Sequence, residues 1–138
     1  MGYTHYWNSV DFTPEEWEGV MADVVKILDH ASLRDLVCQE WDQADHAPLV
    51  NRDLIRFNGK GDDGHETFLY HREGTQWCFC KTNRKPYDAA VCAVLLVLNH
   101  HCEVLGKDLD LKSDGKHLDW ELGQKYAQEA TGYNIQIP

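Results

Sequence analysis

Ten consecutive apolar residues, Ala89 to Leu98, constrain this chain more than any other feature. The run is far shorter than the roughly 20 residues that cross a bilayer as a helix, and it lacks the polar face of a surface helix. It predicts a central helix buried on all sides, which must be wrapped by other elements. Pro86 fits the first turn of that helix, and Asp88 places a negative charge at its electropositive start. At 138 residues the chain is the size of one ordinary domain, so a single core is expected.

The wrapping elements can be read in turn. Thr13-Pro14-Glu15-Glu16 supplies an N-cap, a first-turn proline and a capping box. Trp17, Val20, Met21, Val24 and Leu28 then recur at helical spacing, leaving Glu18, Asp23 and Lys26 toward water, and this helix ends near His30. A last helix is predicted from about His117 to Thr131, with Leu118, Leu122, Tyr126 and Ala130 four apart and Gly132 as its stop. Between the helices, LIRF, ETFLYH and WCFC are runs rich in β-formers separated by glycine-bearing loops, the pattern of an antiparallel meander. A short helix through Leu33 to Trp41, an edge strand in DLDLKSDG and a final strand in YNIQIP complete the expectation. The fold class is therefore α+β: one compact domain over residues 1–138, an antiparallel β-meander packed against a buried central helix with two flanking amphipathic helices.

Charge and cysteine usage bound the function. A formal net charge of -10 argues against coating duplex DNA or an anionic membrane, although a local basic pocket stays compatible with it. The start MGYTHYW has neither a charged n-region nor an apolar h-region. Five cysteines, an odd number lying in apolar runs, suit reduced thiols, so a soluble cytoplasmic protein is expected. Cys78 and Cys80 would share a strand face and could ligate a metal, but no second ligand pair accompanies them. No metal or other cofactor is expected.

Gly59-Lys60-Gly61-Asp62-Asp63-Gly64 matches a dinucleotide-binding glycine motif in letters only, because strand rather than helix follows it. A glycine-rich hairpin loop is the expectation, with Asp62, Asp63, His65 and Glu66 as alternative cation ligands. His65 and Glu66 are also the pair that general acid–base chemistry would use. His100 and His101 fall at the negative end of the buried helix, a structural placement. Tyr3, His5 and Trp7 alternate and so share one strand face, as core or as a shelf for a nucleobase.

CFCKTNRKPYD, residues 78–88, carries the sharpest functional signal. Lys81, Arg84 and Lys85 precede a helix start whose unpaired N–H groups are already electropositive, an unfavourable arrangement unless an anion sits there. Arg56 and Arg72 could join the same positive end, and Asn58 and Asn83 offer amide donors. The alternative is a set of solvated loop charges paired with the protein's own acids.

Tyr3-Thr-His-Tyr-Trp7, Arg56-Phe-Asn-Gly59, His65-Glu-x-Phe68, Phe79-Cys-Lys-Thr82 and Lys85-Pro-Tyr-Asp88 together resemble an uncharacterised family of small proteins from bacteria and their phages. The resemblance covers most of the chain. The family has no established activity and supplies no catalytic residues to carry over. It implies a chain that works alone, and a phage setting implies a role against host defence, several systems of which signal through nucleotides.

The leading expectation is a binding protein that captures a small phosphorylated ligand, a nucleotide or cyclic-nucleotide immune signal. Arg56, Lys81, Arg84 and Lys85 would hold the phosphates, with Asn58 and Asn83 beside them and rings from Tyr3, His5, Trp7, Phe79 or Tyr87 against the base. No nucleophile–base pair at recognisable spacing is apparent, which favours capture over catalysis. A homo-oligomer is expected, since a neighbouring copy often closes such a pocket. Two rivals are a small phosphodiesterase or other hydrolase using His65 and Glu66, with Tyr87 as its acid, and an acidic inhibitor that docks on a basic protein partner.

Overall fold

The computed structural model describes residues 2–138. In chain order the elements are β1 (Thr4–Asn8), α1 (Pro14–Leu28), β2 (Val37–Cys38), β3 (Leu49–Val50), β4 (Leu54–Gly59), β5 (Phe68–His71), β6 (Trp77–Lys81), α2 (Asp88–Val104), β7 (Lys112–Ser113) and α3 (His117–Thr131). The domain is α+β with antiparallel ladders throughout. α2 is the buried centre: Ala90 to Leu98 are all buried, and so is Cys102. Each of its buried Val and Leu side chains contributes about 1.5–3 kcal/mol when fully removed from water. No helix among the described residues is long and apolar enough to cross a membrane.

The strands divide between two small sheets. β4 pairs with β2, β3 and β5, whereas β1 lies between β6 and β7. β6 thus takes its ladder with β1 rather than with β5. At the seam the Glu66 N–H donates to the Lys81 carbonyl at 3.2 Å, and the Glu66 carboxylate accepts the Lys81 N–H at 2.7 Å. A side chain there fills a ladder position that a strand would otherwise occupy.

The start of α1 follows its sequence signature. Glu16 N–H donates to Thr13 Oγ1 at 3.1 Å, and Thr13 N–H donates to Glu16 Oε1 at 2.8 Å. α3 also begins and ends where predicted, with Gly132 left-handed at φ 77°. The faces of both helices differ from expectation. Asp23 is buried rather than solvated, because His101 Nε2 lies 2.7 Å from its carboxylate and the Tyr133 hydroxyl donates to it at 2.8 Å. That bond, rather than a helix-end interaction, is the role of His101, and His100 stacks on Tyr133 at 4.6 Å. On α3 the buried line is Trp120, Gly123 and Ala127, while Leu118 and Leu122 are exposed. Small residues win that face because α2 approaches closely: a Cβ on Gly123 would stand 2.6 Å from Cys92 Cβ.

Three local expectations are corrected. Residues 33–41 form turns and then β2 instead of a short helix, since Leu36 N–H bonds back only to Leu33 and Val37–Cys38 pair with β4. The C-terminal tail adds no strand; Gln124 and Gln128 side chains satisfy the backbone of Ile135, which is buried against the core. In DLDLKSDG only Lys112–Ser113 pair, as β7. Substituting Gly123→Val is expected to cost about 1–3 kcal/mol through overpacking. Leu118→Ser should stay within about 0.5 kcal/mol, and urea denaturation of the two variants measures the contrast.

Candidate functional site

β6 runs into a tight turn, Thr82 to Lys85, and the turn runs into α2. The Lys85 N–H donates to the Thr82 carbonyl at 3.0 Å. Asn83 at φ 53° and Arg84 at φ 59° are both left-handed, the pattern of a type I′ turn. Asparagine adopts this region readily, whereas for arginine it costs roughly 1–2 kcal/mol. Arg84 is held there by its surroundings. Its guanidinium lies 4.0 Å from the centre of the Tyr3 ring, and Nη1 donates to Asp119 Oδ1 at 2.9 Å. The backbone N–H of Lys116 and then Arg84 hold the Asp119 carboxyl below the usual carboxylate range.

This geometry corrects the expected basic cluster. Asp119 answers Arg84, and Glu40 pairs with Arg56 on the other sheet through both Nε and Nη2. Arg72 bonds to the Phe12 and Arg52 carbonyls and to Glu73. Among the described residues only Lys81 and Lys85 of the proposed cations have no carboxylate partner within the ion-pair set. Asn83 is exposed in the turn. Asn58 is buried and structural: its amide clamps the loop through His65 N–H and carbonyl and through Thr67.

The base shelf is corrected as well. Tyr3, His5 and Trp7 share a face as predicted, but it is the inner one, and all three are buried. The outer face carries the intervening residues of β1 and the odd residues of β6. Trp77 is 61% and Phe79 51% exposed, and their rings lie 5.3 Å apart. Tyr6 stacks on Trp77 at 5.8 Å, and Lys81 continues the same row. Between these rings and Leu69 of β5 runs an open groove of about 450 Å³, with Glu66, His71 and Glu73 as polar lining. Glu66 also borders a neighbouring pocket of about 390 Å³ with Trp41, His65 and Lys85. His65 is exposed there, and Glu66 is engaged with the Lys81 amide, so the two do not form a dyad. Asp62 and Asp63 sit in a short 3₁₀ turn, both exposed.

Tyr87 is buried and donates its hydroxyl to the Glu66 carbonyl at 2.5 Å. Burial, with Cys80 beside it, pushes its phenol far above the ordinary range, and the hydroxyl is directed at the Glu66 carbonyl rather than at the basic residues.

Beneath the sheet lies a cluster that the sequence did not announce. His5 Nε2 is 2.7 Å from Asp88 Oδ1, and His5 Nδ1 is 2.7 Å from Ser113 Oγ. Thr82 donates to Asp88 at 2.5 Å. Cys92 Sγ stands 3.6 Å from both His5 Nε2 and Asp88 Oδ2. His5, Asp88 and Cys92 offer three ligand atoms within 4.8 Å of one another, a set that could hold a metal ion. Burial and then the Asp88 charge keep the Cys92 thiol protonated, well above its ordinary pKa. The signals for the cluster were cross-strand placement of His5 opposite Ser113 and the Asp88–Cys92 helical spacing, which only the fold joins.

No protein-family model matches this chain, and neither does any curated protein or solved structure compared with it. The residues alone therefore bear on function.

Four of the five thiols are buried, and Cys78 is half-buried in the lining of the open groove. Alkylation of the native protein is expected to modify Cys78 alone, with mass spectrometry locating the adduct. Burial pushes the Cys80 and Cys102 thiols up to about 12. An unfolded thiol loses its proton near about 8.5, so the unfolded state gains from deprotonation first. Stability should hold below that pH and fall as pH rises from there toward 12, read as a lower urea midpoint at pH 10 than at pH 7.

Proposed function

We propose that this protein binds a nucleotide along the outer face of the β6–β1 sheet. The observation that carries the reading is the solvent-facing row Tyr6, Trp77 and Phe79 continued by Lys81. Large rings left in water have no structural return, whereas nucleobases stack on them with about 1–3 kcal/mol per base. Glu66 and Glu73 in the same groove are acceptors for the N–H groups of a base edge. Lys85 lines the pocket on the other side of Glu66, Lys81 ends the aromatic row, and the two provide the cations for phosphate. A net charge of -10 favours a mononucleotide or dinucleotide over a polymer, whose many phosphates would meet the acidic remainder of the surface.

The experiment is calorimetric titration with a panel of linear and cyclic mono- and dinucleotides. One member should bind, be recovered chemically intact, and lose about tenfold or more in affinity with Trp77→Ala or Phe79→Ala. Lys81→Glu should weaken binding and flatten its salt dependence. Arg84→Ala should change affinity little, because Asp119 already engages that side chain. Absence of binding across the panel, or binding indifferent to Trp77 and Phe79, rejects the reading.

A further inference from the structure

Ser113, His5 and Asp88 stand in a continuous hydrogen-bonded line. Ser113 Oγ accepts the Gly115 N–H at 2.8 Å, which leaves its own proton to donate to His5 Nδ1 at 2.7 Å. That assignment makes Nδ1 the acceptor and puts the ring proton on Nε2, facing the Asp88 carboxylate at 2.7 Å. Asp88 is fixed in turn by the Thr82 hydroxyl. A nucleophile, a base and an orienting carboxylate in this order are recognised by geometry and not by chain position.

The nucleophile and the base of the line differ in access. His5 is fully buried, with the Tyr3 and Trp120 ring edges against it. Ser113 is half-buried and lines a separate pocket of about 410 Å³ at the start of α3. Leu111, Trp120 and Ile137 give that pocket apolar walls, and Lys112, Lys116 and His117 give it a basic rim. Two sources of oxyanion stabilisation adjoin it. The His117 and Leu118 N–H groups at the start of α3 have no intrahelical partner, and the Tyr3 hydroxyl is buried without a hydrogen-bond partner against Gly115 of the pocket lining. A Cβ on Gly115 would stand 2.0 Å from that hydroxyl and 3.1 Å from Ser113 Oγ, so only glycine leaves room there.

We infer that this line is a hydrolytic site for small carboxylic esters bearing a negative charge, independent of the nucleotide groove on the other face. Ser113 Oγ attacks the ester carbonyl carbon. The Oγ–C bond forms as the carbonyl π pair moves onto oxygen, and the serine proton passes to His5 Nδ1. Asp88 stabilises the imidazolium through Nε2. Collapse breaks the bond to the leaving alkoxide, which takes the proton from Nδ1 and departs as the alcohol. Water then attacks the acyl-serine with His5 as base, releasing the acid and restoring Ser113. The apolar walls suit a short acyl chain, and the lysines of the rim meet the charge.

The test treats native protein with a small fluorophosphonate and maps the adduct by peptide mass spectrometry. Stoichiometric modification of Ser113 is the expected result. No adduct on folded protein, or adducts only elsewhere, overturns the proposal. Hydrolysis of p-nitrophenyl acetate should fall about 100-fold or more in Ser113→Ala, with circular dichroism unchanged. Asp88 acts through His5, so Asp88→Asn should lower kcat and leave KM unchanged. Equal hydrolysis by wild type and Ser113→Ala also overturns it.

Discussion

The buried contact between His5 and Asp88 organises this molecule. His5 belongs to the middle strand of the smaller sheet, and Asp88 opens the apolar helix at the centre of the core. A hydrogen bond of 2.7 Å between them fixes where the helix begins relative to the sheet. His5 is fully buried, so its ring nitrogens must be satisfied by protein, whereas Asp88 is partly exposed. Ser113 and Thr82 complete the arrangement, linking β7 and the turn after β6 to the same two side chains. Everything near the outer groove therefore hangs from a polar knot within an apolar core.

The knot also changes the meaning of the basic turn. Cations at a helix start oppose its dipole, and here the opposition is relieved internally. Asp88 meets the helix end, and Asp119 from the next helix meets Arg84. The strained left-handed conformation of Arg84 is bought by its stacking on Tyr3 and its bond to Asp119. Among the described residues Lys81 and Lys85 remain available because neither is in an ion pair.

Much of the fold was legible in the sequence because local rules decided it. The capping box of α1, the glycine stop of α3 and the apolar run of α2 each depend on residues close in the chain. What stayed hidden depended on which side of an element faces the core. Alternation in β1 placed Tyr3, His5 and Trp7 together but could not say that they face inward, and so concealed Tyr6 beside Trp77. The same limit hid the burial of Asp23, whose partners His101 and Tyr133 come from distant segments. On α3 the leucines promised a buried stripe, yet helix approach at Gly123 selected the small residues instead. At the candidate sites Asp119 and Glu40 were legible as acids, but their pairing with Arg84 and Arg56 is a property of tertiary proximity.

The position of β1 has a consequence for biosynthesis. Of the strands described, β1 is made before its partners and is the middle strand of its sheet, flanked by residues 77–81 and 112–113. Until those segments emerge, β1 has unsatisfied edges, and α2 is made before the α3 that covers it. Native structure can close only after residues 112–113 have been made, which makes the nascent chain a natural client for chaperones that shield exposed apolar segments during translation.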